Sequence, residues 1–313
     1  MGSNSNITDP ISLYVQKNES LSTLTDTLVS KEILQNQSTF LALAKLKKFN
    51  SPKPGHYLIK PGMSSNAIIN LLRSGNQTPV NLVIHEINNL NDLSGLLGKT
   101  LMADSTEFLS YLSSNDSLKP YNFTSTTIPC MLLPNTYEFY WTASPEKFLN
   151  KMQKAYKQYW TEERIAMAKK QKLSPLEVCI LASISQKETA KKDEAGKVAG
   201  VYMNRLRIGM ALQADPTLIY ALQDNTIKRV RSKHMQIDSP YNTYKYPGLP
   251  PGPIDLPQAY VQNAILDYKG HKYLYFCAKE DFSGYHNFAK SYDIHMINAR
   301  KYQRALNKKK IYK

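Results

Sequence analysis

The sequence predicts an α+β protein, with a small N-terminal strand–helix–helix–strand module ahead of a larger, helix-rich domain that carries only short strands. Three observations support this. Apolar residues recur at spacings of three and four through most of the chain, as one face of a helix requires. Alternating runs are few and short, at 11–15, 56–59 and 80–84. Ser174-Pro175-Leu176-Glu177 is a complete helix start in the second half.

Residues 1–10 are a leading segment whose first six, Met1 to Asn6, resemble a cloning scar, which leaves a signal or anchor upstream open. Ile11-Ser12-Leu13-Tyr14-Val15 alternates weakly and predicts a strand. Ser20 is placed to cap a helix with Leu21, Leu24 and Leu28 on one face. Ser38 is placed to cap a second, with Phe40, Leu41, Ala44 and Leu46 as its apolar positions. Pro54-Gly55 breaks the chain before a strand at 56–59. Met63-Ser64-Ser65 opens a third helix through Ile68, Ile69, Leu71 and Leu72, which Gly75 is suited to end, and Val80 to Ile84 gives another strand. This module, 11–85, has no clustered His, Cys or carboxylates and reads as a docking unit. The second domain, 86–313, begins with helical patterns around 93–101 and 106–112. A stretch rich in Tyr, Trp and Phe follows, punctuated by Pro129, Pro134 and Pro145. Residues 146–172 predict one long amphipathic helix, with Phe148, Met152, Ala155, Tyr156 and Tyr159 on its stripe and a basic, solvated opposite face.

Composition narrows the function classes. The chain has 313 residues, 42% of them hydrophobic, with 17 Pro and 13 Gly, so it can bury a sizeable core and is neither disordered nor a small stapled scaffold. Its three cysteines, Cys130, Cys179 and Cys277, form no C-x-x-C pair and no closed disulfide framework. Cys179 lies in an apolar run and is read as a small buried hydrophobe. No metal motif is present, and no run approaches the roughly 18 apolar residues of a membrane helix. With 40 Lys and Arg against 25 Asp and Glu, the formal charge is +15, which implies an anionic partner. The run Arg300 to Lys313 is basic without an acidic residue, but no nucleic-acid-binding motif accompanies it.

The helix that starts at Ser174 carries the candidate chemistry. Along it Leu181, Ile184 and Glu188 share one face, whereas Gln186 and Lys187 point elsewhere. A carboxyl at the end of a buried stripe loses solvation, and its pKa rises toward the value a general acid needs near neutrality. Pattern alone equally allows Glu188 to cap the helix or to pair with Lys191 or Lys192. A second helix with Val198, Val201, Tyr202 and Leu206 ends near Gly209. It leads to Asp215-Pro216-Thr217, where Asp215 is also a ready N-cap with Pro at the first helical position. Ser239-Pro240-Tyr241-Asn242-Thr243-Tyr244 and Leu249-Pro250-Pro251-Gly252-Pro253-Ile254 are turn-rich loops whose amides and tyrosine faces suit a sugar, or serve as ordinary surface turns.

Taken together, Leu181 to Thr189, Asn204-Arg205-Leu206, Gly209-Met210, Leu212-Gln213, Asp215-Pro216-Thr217, Tyr241-Asn242-Thr243-Tyr244 and Gly248 to Ile254 closely resemble the endolytic murein transglycosylase family of the YceG-like type. Weaker matches extend to Pro134 to Tyr137, Tyr273 to Phe276 and His286 to Phe288. The resemblance implies a YceG-like catalytic domain at 86–313 behind a LysM-like, peptidoglycan-docking module at 11–85. It implies Glu188 as the single catalytic acid and base, with Gln186 standing where the family has a first glutamate. It further implies that Asn204, Gln213, Asp215, Thr217, Tyr241, Asn242 and Tyr244 line the substrate groove, and that neither cofactor nor metal takes part. The implied partners are nascent glycan strands, the cell-wall elongation machinery and an anionic membrane surface, not nucleic acid. Family members carry an N-terminal membrane helix, so the implied location is the extracytoplasmic face of the bacterial membrane. A non-catalytic peptidoglycan-binding scaffold is the alternative reading, and the replacement at Gln186 is the feature that favours it.

Overall fold

The computed structural model describes residues 7–309 except 225, 228 and 229. Met1 to Asn6 and the last four residues of the basic C-terminal run therefore lie outside the described residues. In chain order the elements are β1 (Ile11–Val15), α1 (Leu21–Ser30), α2 (Gln37–Leu46), β2 (Gly55–Ile59), α3 (Ser65–Ser74), β3 (Val80–Ile84), α4 (Leu90–Thr100), α5 (Ser105–Ser113) and α6 (Asn115–Leu118). They continue with β4 (Asn135–Phe139), α7 (Pro145–Tyr159), α8 (Glu162–Lys170), α9 (Pro175–Glu188), α10 (Ala195–Arg207), α11 (Asp215–Leu222), α12 (Ala259–Leu266), β5 (Tyr275–Ala278), β6 (His286–Ala289) and α13 (Tyr292–Lys308). The fold is α+β, with three two-stranded sheets, β1-β2, β3-β4 and β5-β6, among the described residues. The chain divides into two compact units. One holds residues up to Val83 with Ser94–Ser110 and Thr136–Leu149, and the other holds Ile84–Leu93, Tyr111–Asn135 and Asn150 onward.

In the first unit β1 and β2 pair antiparallel, from Ile11 opposite Ile59 to Val15 opposite Gly55, with α1 and α2 between them in sequence. Leu13, Val15, Leu24, Leu28, Phe40 and Ile68 meet in one core. Ser20 caps α1 by accepting from the Thr23 amide, and Ser64 caps α3 by accepting from the Ala67 amide. Gly75 ends α3 at φ +75°, a conformation glycine adopts without the Cβ clash.

Two sequence expectations change here. Asn36, not Ser38, caps α2, because its side chain already accepts from the Thr39 amide and the helix starts one residue later. Leu46 is 80% exposed; at 100° per residue it stands about 120° away from Phe40, off the buried face.

In the second unit a core forms around α9, whose residues Val178 to Ser185 are all buried. The long helix expected over 146–172 is two helices. Trp160 turns inward at 6% exposure, and Thr161 takes an extended conformation (φ −68°, ψ 163°) and caps α8 by accepting from the Arg164 amide. Cys179 is buried in the α9 core, as its apolar surroundings required. No helix among the described residues is long and apolar enough to cross a membrane.

Candidate active site

The position of Glu188 follows from how α9 is built. Ser174 accepts from the Glu177 amide while Glu177 reaches back to the Ser174 amide, a complete capping box, and Pro175 occupies the first turn. The helix is then buried from Val178 to Ser185, surfaces at Lys187 and ends at Glu188, after which Thr189 is extended (φ −142°, ψ 134°). Glu188 is half-buried. Tyr202, from α10, donates its hydroxyl to Glu188 Oε1 at 2.6 Å. Oε2 accepts no hydrogen bond from a described residue.

Desolvation pushes the Glu188 carboxyl from its ordinary 4.5 to about 7; the Tyr202 hydrogen bond pulls it down, the charge of Asp215 pushes it up and Arg205 pulls it down. Loss of solvation outweighs the rest. The expected alternative, an ion pair with Lys191 or Lys192, does not form. Lys191 Nζ lies 4.9 Å from the Tyr285 ring centre and Lys192 Nζ 5.3 Å from that of Tyr260.

Around Glu188 two of the noted segments are zipped together. The Gln213 amide donates to Thr243 O at 3.0 Å, the Ala214 amide donates to Thr243 Oγ1 at 3.0 Å, and the Thr217 and Thr243 hydroxyls are 2.8 Å apart. Tyr244 donates its hydroxyl to Asp215 Oδ1. Asp215 is therefore not the N-cap of α11: Ala214 holds that position in extended conformation, and Asp215, already helical, turns its carboxylate to Tyr244. Arg205 is 7% exposed and spends its guanidinium on Leu274 O (2.7 Å) and Leu212 O (2.6 Å).

The predicted groove residues separate into two kinds. Asp215, Tyr244 and Tyr241 present exposed or half-buried side chains, and Gln213 is exposed with φ +51°. Thr217, Asn242 and Asn204 face inward. Asn242 is fully buried; its amide donates to Met235 O and Ile237 O, both at 2.8 Å, and its Oδ1 accepts from the Tyr244 amide at 3.0 Å. The Asn204 amide donates to His271 O (2.8 Å) and Tyr273 O (2.9 Å). Both asparagines tie loops to the core, and their amide hydrogens are not free to hold a sugar.

Gln186, turned off the buried stripe, closes another contact. It donates to Asp255 Oδ2 at 2.8 Å and Leu256 O at 3.2 Å, and it accepts from the Gln258 amide at 2.8 Å. Lys187 Nζ lies 3.2 Å from the same Asp255 oxygen. The Pro-rich loop is thus pinned to α9.

Beside this loop lies a cavity of about 430 Å³, walled by Asn88, Asn89, Ser125, Thr126, Tyr220 and Tyr241 with Pro129, Pro240, Pro251 and Pro253. A second, of about 190 Å³, shares Asn88, Asn89 and Tyr220 and adds Lys187 and Pro216, the chain neighbours of Glu188 and Asp215. Gly252 passes so close to Thr126 O and the Tyr241 hydroxyl that a Cβ has no room there. No set of three His, Cys, Asp or Glu among the described residues is placed to hold a metal ion.

The YceG-like family profile matches residues 13–301. The chain belongs to the YceG-like family. This YceG-like chain is 29% identical over 315 residues to a Bacillus subtilis protein named endolytic murein transglycosylase, covering 96% of this chain and 86% of that one. A Streptococcus pneumoniae protein of the same name is 26% identical over 283 residues; the match covers 80% of this chain but only 51% of that longer relative. A crystal structure of a putative yceG-like protein from Listeria monocytogenes superposes with a TM-score of 0.61 at 28% identity, over 93% of this chain and 99% of that one.

Sequence reasoning missed Tyr202, Tyr220, Asn88 and Asn89 as site residues. For Tyr202 there was a signal: a phenol on a buried stripe must find a hydrogen-bond partner, and Glu188 is the polar group on the neighbouring stripe. For Asn88 and Asn89 there was none, because they reach the cavity from about 100 residues upstream of α9.

Proposed function

We propose that this chain is an endolytic peptidoglycan lytic transglycosylase, cleaving the bond between N-acetylmuramic acid and N-acetylglucosamine with Glu188 as its single general acid and base. The observation that carries the reading is the state of Glu188: a carboxyl raised to about 7, bonded through one oxygen to Tyr202 and with no hydrogen-bond partner among the described residues at the other. Such a group is protonated often enough to donate and becomes a base once it has donated.

In the proposed cycle Glu188 gives its proton to the glycosidic oxygen, the bond from that oxygen to the muramoyl anomeric carbon breaks, and the N-acetylglucosamine end leaves as an alcohol. The carboxylate then takes the proton of the muramoyl 6-hydroxyl as that oxygen bonds to the anomeric carbon. Glu188 returns protonated and the product carries a 1,6-anhydro end. The substrate supplies the nucleophile, so the two carboxylates of a hydrolase are not required. Fixing that intramolecular attack is worth a large factor in rate.

The amide-, hydroxyl- and tyrosine-walled cavities are the groove for the glycan in this reading, with Asn88, Asn89 and Tyr241 as contacts. Asp215, Tyr244 and Gln213 stand at its catalytic end. Thr217, Asn204 and Asn242 act one step back, as braces. The strand–helix–helix–strand module at 11–85 serves as the LysM-like dock for peptidoglycan, ahead of a catalytic domain at 86–313. The work is done at the extracytoplasmic face of a bacterial membrane, beside anionic lipid and the elongation machinery, and the +15 charge suits that surface.

The test is Glu188→Gln on purified peptidoglycan. Loss of strand cleavage with an unchanged circular dichroism spectrum is expected; retained cleavage ends the assignment. Mass spectrometry of wild-type products separates anhydro ends from the reducing ends that a hydrolase leaves.

A further inference from the structure

We propose that Tyr202 is the positioning residue that decides which oxygen of Glu188 carries the transferable proton, holding Oε1 as the acceptor and leaving the proton on Oε2. This rests on the general-acid reading of Glu188.

A separation of 2.6 Å between the phenol and Oε1 allows two arrangements when the carboxyl is neutral. In one, Tyr202 donates to Oε1 and the acid proton sits on Oε2. In the other, Oε1 carries the proton and donates to the phenol, whose own hydrogen then needs a second acceptor. Tyr202 is 1% exposed, and Glu188 is the partner of its hydroxyl among the described residues. The aromatic neighbour of its ring is Phe276, edge-on at 5.9 Å and 82°. The second arrangement therefore strands a buried donor, which disfavours it by roughly tenfold or more. The first satisfies the phenol and puts the proton on the oxygen that has no hydrogen-bond partner among the described residues.

The same hydrogen bond serves the rest of the cycle. When Glu188 gives up its proton, the bond from Tyr202 becomes charge-assisted and tightens as the carboxylate forms. Burial holds the phenol of Tyr202 well above its ordinary range, so it stays a donor throughout. The other groups that face Glu188 are Arg205 from α10, Asp215 from α11 and Tyr244 from the loop after Asn242. Arg205 is committed to backbone carbonyls, and Tyr244 bonds to Asp215. Tyr202 is thus the group in hydrogen-bond contact with the acid.

The experiment is Tyr202→Phe, which keeps the ring against Phe276 and removes only the hydroxyl. Cleavage of purified peptidoglycan is followed as a function of pH, and Glu188 is titrated directly by carbon-13 NMR of labelled glutamate, with Glu188→Gln identifying its signal. Removing a bond that favours the charged form moves the Glu188 titration, and the alkaline limb of the rate, upward by roughly one pH unit. Loss of proton placement lowers kcat by roughly ten- to a hundredfold, with KM changed by less than about threefold. Tyr202→3-fluorotyrosine, a stronger donor, moves the titration the other way.

A role confined to packing leaves the limb and the NMR titration where they are in Tyr202→Phe, and that result overturns the proposal. Wild-type kcat in a folded Tyr202→Phe protein overturns it as well. The Glu188→Gln control separates the two levels. If that variant still cleaves, the general-acid reading and this proposal fall together; if it is inactive while Tyr202→Phe titrates like wild type, only the role of Tyr202 falls.

Discussion

Neutralising Glu188 should stabilise the protein in alkaline solution, and the size of the effect follows from its raised pKa. In the unfolded chain the carboxyl titrates near 4.5, in the folded protein near 7. Between these values the folded state binds more protons than the unfolded state, so stability falls as pH rises through that window. A shift of this size corresponds to about 3 kcal/mol, fully felt above pH 7 and absent below 4.5. In Glu188→Gln the amide keeps the shape and can still accept from Tyr202, but it carries no charge to desolvate. The variant should match wild type within about 1 kcal/mol at pH 4 and be more stable at pH 8 by about 2–3 kcal/mol. For a chain of this size that is a rise in Tm of roughly 4–10 °C. The assay is thermal unfolding of both proteins at pH 4, 6 and 8, with the difference read against pH. A difference independent of pH, or wild type the more stable at pH 8, would mean that Glu188 is solvated in the folded protein and that burial does not raise its pKa.

Two further outcomes follow from the geometry. Gln186→Glu replaces the amide that donates to Asp255 Oδ2 at 2.8 Å with a second carboxylate, so it should destabilise by about 1–3 kcal/mol at neutral pH and recover on acidification, as measured by urea unfolding at pH 5 and pH 7.5. Tyr241→Ala removes a wall of the larger cavity and the partner of Tyr220, whose ring centre is 4.7 Å away; KM for glycan strands should rise roughly tenfold with kcat little changed, whereas an equal fall in kcat would place Tyr241 at the reacting bond instead.

What could be read from the sequence was local. The Ser174 capping box, the cap at Ser20 and the left-handed Gly75 involve residues within a few positions of one another, and all three form as their spacing requires, whereas the cap expected at Ser38 falls to Asn36. The break between α7 and α8 was masked by an apolar stripe that continues past Tyr159, although Thr161 followed by Glu162 and Glu163 is itself a local helix start, and Thr161 caps α8 in the structure. Asn204 and Asn242 show a different limit. Residue type marked them as good partners for a sugar, but an asparagine serves backbone carbonyls equally well, and the structure uses both amides that way. Gln186 turned out more constrained than its off-stripe position implied, since the chain segment it binds lies about 70 residues downstream.

The site also depends on where its positive charge is not. Arg205 is the cation close enough to lower the pKa of Glu188, and a direct guanidinium–carboxylate pair is the arrangement that keeps a carboxyl charged and useless as an acid. That pair does not form, because the guanidinium is committed to Leu274 O and Leu212 O, so Arg205 fastens the residue that leads into β5 and the segment before α11 instead. The remaining contact of Glu188 is a neutral phenol, which steadies the carboxyl without forcing it to ionise. Keeping such an acid costs about 3 kcal/mol at alkaline pH. The helix that carries it offsets that cost several times over: Val178, Ile180, Leu181 and Ile184 are each at most 4% exposed, and burying a side chain of this kind contributes about 1.5–3 kcal/mol. A helix with a continuous buried run from Val178 to Ser185 can therefore end in a destabilised carboxyl at Glu188.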